Sequence, residues 1–150
     1  MRPGFGDGGG CHPRDNIALR VLNEKYKLGY DLFDAIMKAR EEQAHNMARW
    51  LCDQAPHDVV ILGKAFKPGL KPEDGHTVGS PSMLVGWYVE KTESRKVYYD
   101  KAPDDKPYIY LIHDNQLYPE VWNPGSVIVD VNRELSDNIP DCKVLWYGVS

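Results

Sequence analysis

The chain has 150 residues, with 18 Lys and Arg against 22 Asp and Glu and a formal net charge of -4 at pH 7. This length accommodates about one domain with one hydrophobic core, and the scattered basic residues offer no electrostatic footprint for nucleic acid or an anionic membrane. The sequence has no run of about 18 apolar residues that could cross a bilayer and no signal-peptide segment, so we expect a cytoplasmic protein with no membrane partner.

The spacing of cysteines and histidines argues against disulfides and metals. Cys11, Cys52 and Cys142 are an odd number of cysteines without a C-x-x-C pair, so neither a disulfide framework nor a zinc site is expected. The five histidines also lack the paired spacing of metal ligands. We predict reduced cysteines and no bound metal.

A glycine-rich stretch at residues 4–15, Gly-Phe-Gly-Asp-Gly-Gly-Gly-Cys-His-Pro-Arg-Asp, places Cys11 just before a predicted helix. His12 and Arg14 are possible cationic neighbours of the thiol. A helix that begins at Asp15 would favour the thiolate, which is the reactive form. Cys11 is therefore either a nucleophile or a small buried residue in a glycine-rich turn.

Residues 4–9 of this stretch also satisfy the dinucleotide-binding pattern G-x-G-x-x-G. That pattern functions as the turn between a strand and a helix, and only three residues precede it in the sequence. Because no strand fits in three residues, we do not expect this loop to bind a dinucleotide.

Two helices are predicted after the cysteine. Asp15 is a suitable N-cap for a first helix that runs to about Lys27. Asp31 can cap a second helix that ends before Pro56 and whose roughly 24 residues span about 36 Å. The apolar positions at helical spacing are Ile17, Val21, Leu22 and Tyr26, then Leu32, Phe33, Ile36, Met37, Ala44, Met47, Ala48 and Leu51. Because the second helix is long for a small domain, part of its apolar face needs a partner.

From residue 58 the pattern changes to short apolar strands. Residues 59–62, Val-Val-Ile-Leu, are typical of a strand buried on both faces. A helix with Ser80 as N-cap and Pro81 at its first position then leads to a strand at 97–100 that ends in Asp100. This order is the layout of a mononucleotide-binding βαβ unit. Three further strands are predicted at 108–112, 126–131 and 143–147.

We therefore predict an α/β protein, with a long helical segment at residues 1–56 followed by a small Rossmann-like, mostly parallel sheet domain at residues 57–150. The interval 113–125 contains Pro119 and Pro124 and is a poor helix. The sheet should consequently be less fully covered than in a complete doubly wound fold, with aromatic side chains covering part of the open face.

Residues 4–6, Gly-Phe-Gly, and 9–15, Gly-Gly-Cys-His-Pro-Arg-Asp, resemble the catalytic cysteine loop of the UDP-glucose/GDP-mannose dehydrogenase family, G-F-G-G-S-C-x-P-K-D. Residues 62–67, Leu-Gly-Lys-Ala-Phe-Lys, followed by Asp74 and by Ser-Pro-Ser at 80–82, resemble the family motif L-G-x-A-F-K-x-x-T-x-D-x-R-x-S-P. The segment 126–133 is similar to the family's closing strand. The resemblance covers almost the whole chain, but only the second half of a full-length family member.

The chain also departs from the family pattern. Two extra residues separate Phe5 from Cys11, and the loop after Lys67 is longer. Val78 stands at the position of the arginine in the second motif, and Asn132 stands where the family has an arginine that reaches the neighbouring subunit's active site.

The resemblance implies a nucleotide-sugar 6-dehydrogenase similar to the UDP-glucose and GDP-mannose branches, which oxidises a sugar C6 alcohol to a carboxylate through a cysteine thioester. In such an enzyme Cys11 is the nucleophile and Asp15 positions the hydrolytic water. The implied substrate-binding residues are Phe5, Gly6, Phe66, Lys67 and Arg133, and the implied cofactor-binding residue is Arg14. NAD would be bound mainly by a domain absent from this chain, so we expect the isolated chain to be inactive.

The resemblance also implies a homodimer, because the long helix after the cysteine loop forms much of the dimer interface in the family. The residues of the predicted face are Phe33, Met37, Met47 and Leu51. Two alternatives remain open at this stage. One is a noncatalytic nucleotide-binding or dimerisation module, and the other, less favoured, is a cysteine-dependent hydrolase with His12, His76 or His113 as its base.

Overall fold

The structure is a computed structural model that describes residues 9–136 and 138–147. Within these residues the chain forms three α-helices and five β-strands. The helices are α1 (Cys11–Tyr26), α2 (Leu32–Gln54) and α3 (Pro81–Thr92), and the strands are β1 (Val59–Leu62), β2 (Val97–Tyr99), β3 (Ile109–Ile112), β4 (Val127–Asp130) and β5 (Lys143–Leu145). The predicted α/β class is confirmed, and every predicted strand is present.

The five strands form one sheet in the order β2-β1-β3-β4-β5, and all neighbouring pairs are parallel. β1 lies inside the sheet, where Val60 is opposite Tyr98 of β2 and Tyr110 of β3. The chain runs from β1 outward to β2 and then returns past β1 to β3, so the strand order reverses between β1 and β3. In open α/β sheets, ligands bind beyond the carboxyl ends of the strands at such a reversal.

Helix α1 begins earlier than predicted, since Cys11 is its first residue and Gly10 occupies the N-cap position. The expectation that Asp15 caps this helix was therefore wrong. Pro13 accounts for the difference, because proline is tolerated in the first turn of a helix, where its missing N–H has no intrahelical acceptor. The helix is closed by Lys27, which takes a left-handed conformation with φ 50°.

Helix α2 has 23 residues and begins where predicted, with the Asp31 carboxylate accepting a backbone N–H of the first turn at 3.0 Å. Its buried residues lie in the C-terminal half and are Ala44, Met47, Ala48 and Leu51. Met47 and Leu51 belong to the chain's own core, so the predicted dimer face cannot include them. Phe33 and Met37 in the N-terminal half are only partly buried. None of the helices among the described residues is long and apolar enough to cross a membrane.

The two faces of the sheet are covered differently. One face packs against α2 and α3. The other face is formed by Val60, Leu62, Tyr108, Tyr110, Ile112 and Ile128. No α-helix covers this second face within the described residues; Tyr118 and Trp122 pack over it instead, and the ring of Trp122 meets that of Tyr110 edge-to-face at 5.1 Å. The described interval 113–125 contains one short 3₁₀ turn, Asn115–Leu117, which confirms the prediction of a poor helix.

Candidate functional site

The loops that follow β1 and β3 form the candidate site, because both leave the carboxyl edge of the sheet where the strand order reverses. The loop after β1 includes the motif residues Phe66 and Lys67. The loop after β3 begins with His113 and Asp114, which are both buried. Ligand-binding residues are therefore expected on these two loops.

The turn directly after β1 is fixed by side chains from other elements. Gly63 has φ +108°, and a Cβ atom there would lie 2.8 Å from the Cβ atom of Asp114, so the position requires glycine. The Gly63 N–H donates to Asp100 after β2 at 3.2 Å, and the hydroxyl of Ser82 in α3 donates to the Gly63 carbonyl at 2.7 Å. Asp100 also forms an ion pair of 3.0 Å with Lys64. These contacts set the direction in which the chain leaves β1.

Phe66 begins a loop that closes on itself. Its N–H donates to the His76 carbonyl at 2.8 Å, and the two rings meet edge-to-face with centroids 5.7 Å apart. The N–H of Gly69 donates to the Asp114 carboxylate at 2.7 Å, which ties the loop to the end of β3. The exposed ammonium group of Lys67 lies 6.0 Å from the centroid of the Phe66 ring, at the limit of a cation–π contact. Phe66 and Lys67, the two predicted substrate residues, are thus adjacent on a loop whose course is fixed by these hydrogen bonds.

The cysteine segment, residues 9–11, lies against this loop. The N–H of Gly9 donates to the Gly79 carbonyl at 3.3 Å. A Cβ atom on Gly9 would lie 3.3 Å from the ring of Phe66, so the glycine backbone packs directly on that ring. Cys11 follows as an exposed residue at the start of α1. The structure therefore brings together two motifs that are far apart in the sequence.

Cys11, Arg14 and Asp15 lie on one face of the first turns of α1, because residues three and four positions apart on a helix are neighbours. The Arg14 Nε atom donates to Asp15 Oδ1 at 2.8 Å. This contact is the main cause of the raised pKa of the Arg14 guanidinium, and Cys11 contributes less. Both members of the ion pair are exposed, so the pair adds little to stability. The predicted cofactor residue is therefore paired with the predicted catalytic acid.

The other predicted substrate residues do not lie on the loop after β1. Arg133 is exposed in the turn after β4, where it has φ 57° and its N–H donates to Asp130 at 3.0 Å. Phe5 and Gly6 lie outside the described residues. The contacts of the described residues thus join Phe66 to the cysteine segment, and Lys67 lies beside the Phe66 ring, whereas Arg133 belongs to a separate turn.

Asp114 and Asp130 hold the loops at this edge of the sheet, a role that we did not predict from the sequence. Asp114 accepts the N–H groups of Gly69 and Gln116 at 2.7 and 3.0 Å. Asp130 is fully buried and accepts the N–H groups of residues 132–135 at 2.6–3.0 Å. The available sequence signal was an acid at or just after the end of an apolar strand, since such an acid can accept the backbone N–H groups of the following turn.

His113 supports the same loop from below. It is buried, and the backbone of Ala65 and Phe66 lies next to its imidazole. Burial lowers the pKa of its imidazole, and the contacts with the backbone oppose this effect only in part. The folded protein therefore favours neutral His113 beneath the loop that carries Phe66.

Two cavities lie near these elements. One of about 480 Å³ lies between α2 and α3, with Arg40, Gly79 and Trp87 in its lining. The other, of about 770 Å³, lies on the helix-free face of the sheet, and Tyr110 and four acidic residues line it. That acidic lining is unfavourable for a diphosphate. Within the part of the chain that the structure describes, no group of three or more His, Cys, Asp or Glu residues could hold a metal ion.

Comparison of the sequence with known proteins finds dehydrogenases. No protein-family model matches the chain. A GDP-mannose 6-dehydrogenase from Pseudomonas savastanoi pv. phaseolicola is 30% identical over 143 residues, which cover 89% of this chain and 33% of that protein. A UDP-glucose 6-dehydrogenase from Rickettsia typhi is 32% identical over 72 residues, which cover 45% of this chain and 16% of that protein. The chain spans about a third of the length of the first of these relatives.

Comparison of the fold gives a consistent result. The solved structure of a ternary complex of GDP-mannose dehydrogenase from Pseudomonas aeruginosa is similar to this chain with a TM-score of 0.66. The similarity covers 96% of this chain and 40% of that one at 15% sequence identity, so it shows a shared fold. The sequence relatives confirm the resemblance to this family, and the solved structure shows the shared fold.

Proposed function

We propose that this chain, which resembles the UDP-glucose/GDP-mannose dehydrogenase family over most of its length, is the part of a cytoplasmic nucleotide-sugar 6-dehydrogenase that carries the catalytic cysteine and part of the substrate pocket. The observation that carries this proposal is the contact between the cysteine segment and the Phe66 loop. The reaction that the dehydrogenase relatives suggest, oxidation of a sugar C6 alcohol, needs a nucleophile beside the sugar and a cation beside the anionic part of the substrate. Cys11 and Lys67 would supply these two groups.

Cys11 has the chemistry for the covalent step. Its thiolate would add to the carbonyl carbon of the sugar aldehyde, and the thioester that remains after oxidation of this adduct is easily hydrolysed. Asp15 lies one helical turn after Cys11 on the same face of α1, where it would position the hydrolytic water. Arg14, which contacts Asp15, would hold that carboxylate in place.

The turn after β1 and the start of α3 do not fit NAD. A dinucleotide site needs further glycines in the turn after the strand, but Lys64, Ala65 and Phe66 follow Gly63. Helix α3 does not follow this turn directly, and its first residue is Pro81, which lacks an N–H for a pyrophosphate. We propose that NAD is bound mainly by a part of the enzyme outside these 150 residues, with Arg14 as the one cofactor contact from this chain, so that the isolated chain reduces no NAD in the presence of UDP-glucose or GDP-mannose.

The first test is the alkylation rate of each cysteine, measured with limiting iodoacetamide and peptide mass mapping in the folded protein and in urea. We expect Cys11 to react fastest in the folded protein, and faster folded than unfolded. Burial raises the pKa of Cys52 to about 11 and also raises the pKa of Cys142, so both should react more slowly when folded. If Cys11 reacts no faster folded than unfolded, a noncatalytic nucleotide-binding module becomes the better proposal.

The second test concerns the nucleotide. Calorimetry with UDP and with GDP should detect weak binding that is lost in Lys67→Ala. Lys71→Ala is the matched control, because Lys71 is an exposed lysine of the same loop. Equal losses in both variants would indicate a general charge effect and would argue against a specific role for Lys67.

We also propose that the enzyme is a homodimer that associates through α1 and the N-terminal half of α2. The large apolar residues exposed there include Ile17, Val21, Leu22, Tyr26, Leu32 and Ile36. Sedimentation should show a dimer at tens of micromolar, and Val21→Lys should shift it toward monomer. Val121→Lys is the control, since Val121 is 79% exposed and lies far from these helices in the sequence. A monomeric wild-type chain would contradict the proposal.

A further inference from the structure

The loop between Phe66 and Gly79, here named the clasp loop, is longer than its counterpart in the family motif and has an ordered course. Consecutive turns are closed by hydrogen bonds from Leu70 to Lys67, from Asp74 to Lys71 and from Val78 to Gly75. The hydrogen bond from Phe66 to the His76 carbonyl then brings the two ends of the clasp loop together. The extra residues therefore return the chain to Phe66.

The cysteine segment lies between the two ends of the clasp loop. Gly9 packs on the Phe66 ring at one end and donates its N–H to the Gly79 carbonyl at the other. Gly10 extends this contact, because a Cβ atom there would lie 3.3 Å from Val78. The start of α1, and with it Cys11, is thus held on the clasp loop by its two preceding glycines.

Helix α2 provides a second anchor at the same carbonyl. Arg40 Nη2 donates to the Gly79 oxygen at 3.0 Å, so this oxygen accepts from both Arg40 and Gly9. The Arg40 side chain is only 13% exposed. A hydrogen bond from a charged donor in such a setting is stronger than one between neutral groups. Arg40 therefore fixes the end of the clasp loop against the long helix.

Gly79 itself leaves no room for a side chain. It has φ +70°, and a Cβ atom there would lie 2.6 Å from the Gly9 oxygen and 2.8 Å from the Gly9 carbonyl carbon. Because both atoms are backbone, relief requires movement of the cysteine segment or of the clasp loop. Gly75, in the same loop, has φ +80°, but a Cβ atom there would have no neighbouring atom within 4 Å. An alanine would have a strained backbone conformation at either position, but of the two only the alanine at Gly79 would also collide with the cysteine segment.

We propose that Gly79 and Arg40 are positioning residues that hold Cys11 against the clasp loop. This inference rests on the proposed function in so far as Cys11 is the nucleophile. It adds that the longer clasp loop, which departs from the family motif, is the support of the cysteine segment. A change at Gly79 or Arg40 should therefore reach Cys11 without contact with the thiol.

The first experiment measures amide hydrogen exchange by mass spectrometry in the wild-type chain, Gly79→Ala and Gly75→Ala. In Gly79→Ala, peptides covering residues 9–14 should exchange at least fivefold faster, while peptides covering β1 and β3 keep their protection. Gly75→Ala should match the wild type in residues 9–14. Equal exchange in the two variants, or no change in either, would overturn the proposal.

The second experiment uses the ratio of the folded to the unfolded alkylation rate of Cys11. Arg40→Met keeps the apolar stem but removes the donor. It should lower the ratio of the folded to the unfolded alkylation rate of Cys11 at least threefold, toward one. Gly79→Ala should do the same. Arg40→Lys restores a donor and should recover most of the wild-type ratio. A merely structural role for Arg40 would give no such recovery, and equal ratios in Met and Lys variants would count against positioning.

The two experiments separate the inference from the function on which it rests. If wild-type Cys11 is not activated, but Gly79→Ala still speeds amide exchange in residues 9–14, the clasp loop does support the cysteine segment and the catalytic proposal is wrong. If Cys11 is activated, but neither Gly79→Ala nor Arg40→Met changes its alkylation or the exchange of residues 9–14, the catalytic proposal stands and the positioning role of Gly79 and Arg40 is wrong.

Discussion

Helix α1 and the C-terminal half of α2 have similar apolar spacing but opposite surroundings. In α2, Ala48 and Leu51 have no exposed surface and join the sheet's own core. In α1, Val21 is 59% exposed and Leu22 is 44% exposed. An apolar stripe therefore indicates that a helix face needs a partner, and only the three-dimensional structure shows whether the chain itself provides it. The sheet domain completes its own core, whereas the first helix leaves its apolar stripe exposed.

The largest expected effect is a loss in the free energy of unfolding when a buried residue in the C-terminal half of α2 is changed. Leu51→Ala removes a fully buried side chain and should destabilise the protein by about 2–5 kcal/mol. Leu22→Ala in α1 makes the same chemical change on a site that is exposed in the single chain, and it should cost less than about 1 kcal/mol when the protein is dilute enough to be monomeric. Urea denaturation of both variants checks this, and equal losses would mean that α1 also contributes to a core.

A smaller loss is expected at the carboxyl edge of the sheet. Asp130→Ala leaves the four N–H groups that the carboxylate accepts without that acceptor and should cost about 2–4 kcal/mol. Asp130→Asn keeps one acceptor oxygen and should lose less. Asp105→Ala, at an exposed aspartate in the loop before β3, is the control and should change the midpoint of urea denaturation very little. A similar midpoint for Asp130→Ala and Asp105→Ala would show that the turn after β4 does not need its acid.

The smallest expected effect is a pH dependence at His113. Its pKa is lowered in the folded state, mainly by burial, whereas an unfolded histidine titrates near about 6.5. The unfolded chain then binds the proton first, so the stability due to neutral His113 is complete above about pH 7 and decreases as the pH falls through about 6.5 toward the lower folded-state pKa.

Thermal unfolding from pH 7.5 to 5.5 checks this expectation. His113→Gln should show a shallower loss of Tm over this range than the wild type. A His113→Gln profile parallel to the wild type would show that another group controls stability in this range.

The strands and α2 could be predicted because their signals are local. Residues 59–62 are an unbroken apolar run, and Asp31 is followed by a long helical pattern. The start of α1 could not be placed, because Asp15 is a good N-cap in isolation and the contacts of Gly9 with the clasp loop depend on tertiary structure. For the same reason the sequence did not identify Arg40, whose role depends on a carbonyl 39 residues away. The two motifs were visible, but their contact was not.

The edges of the sheet limit how copies of this chain can assemble. The edge strands β2 and β5 have three residues each, and β5 begins with the exposed Lys143. Short edges that carry lysine resist strand addition, because few backbone groups are available and the charge must be desolvated. Growth of the sheet into edge-to-edge aggregates is therefore disfavoured even at high concentration.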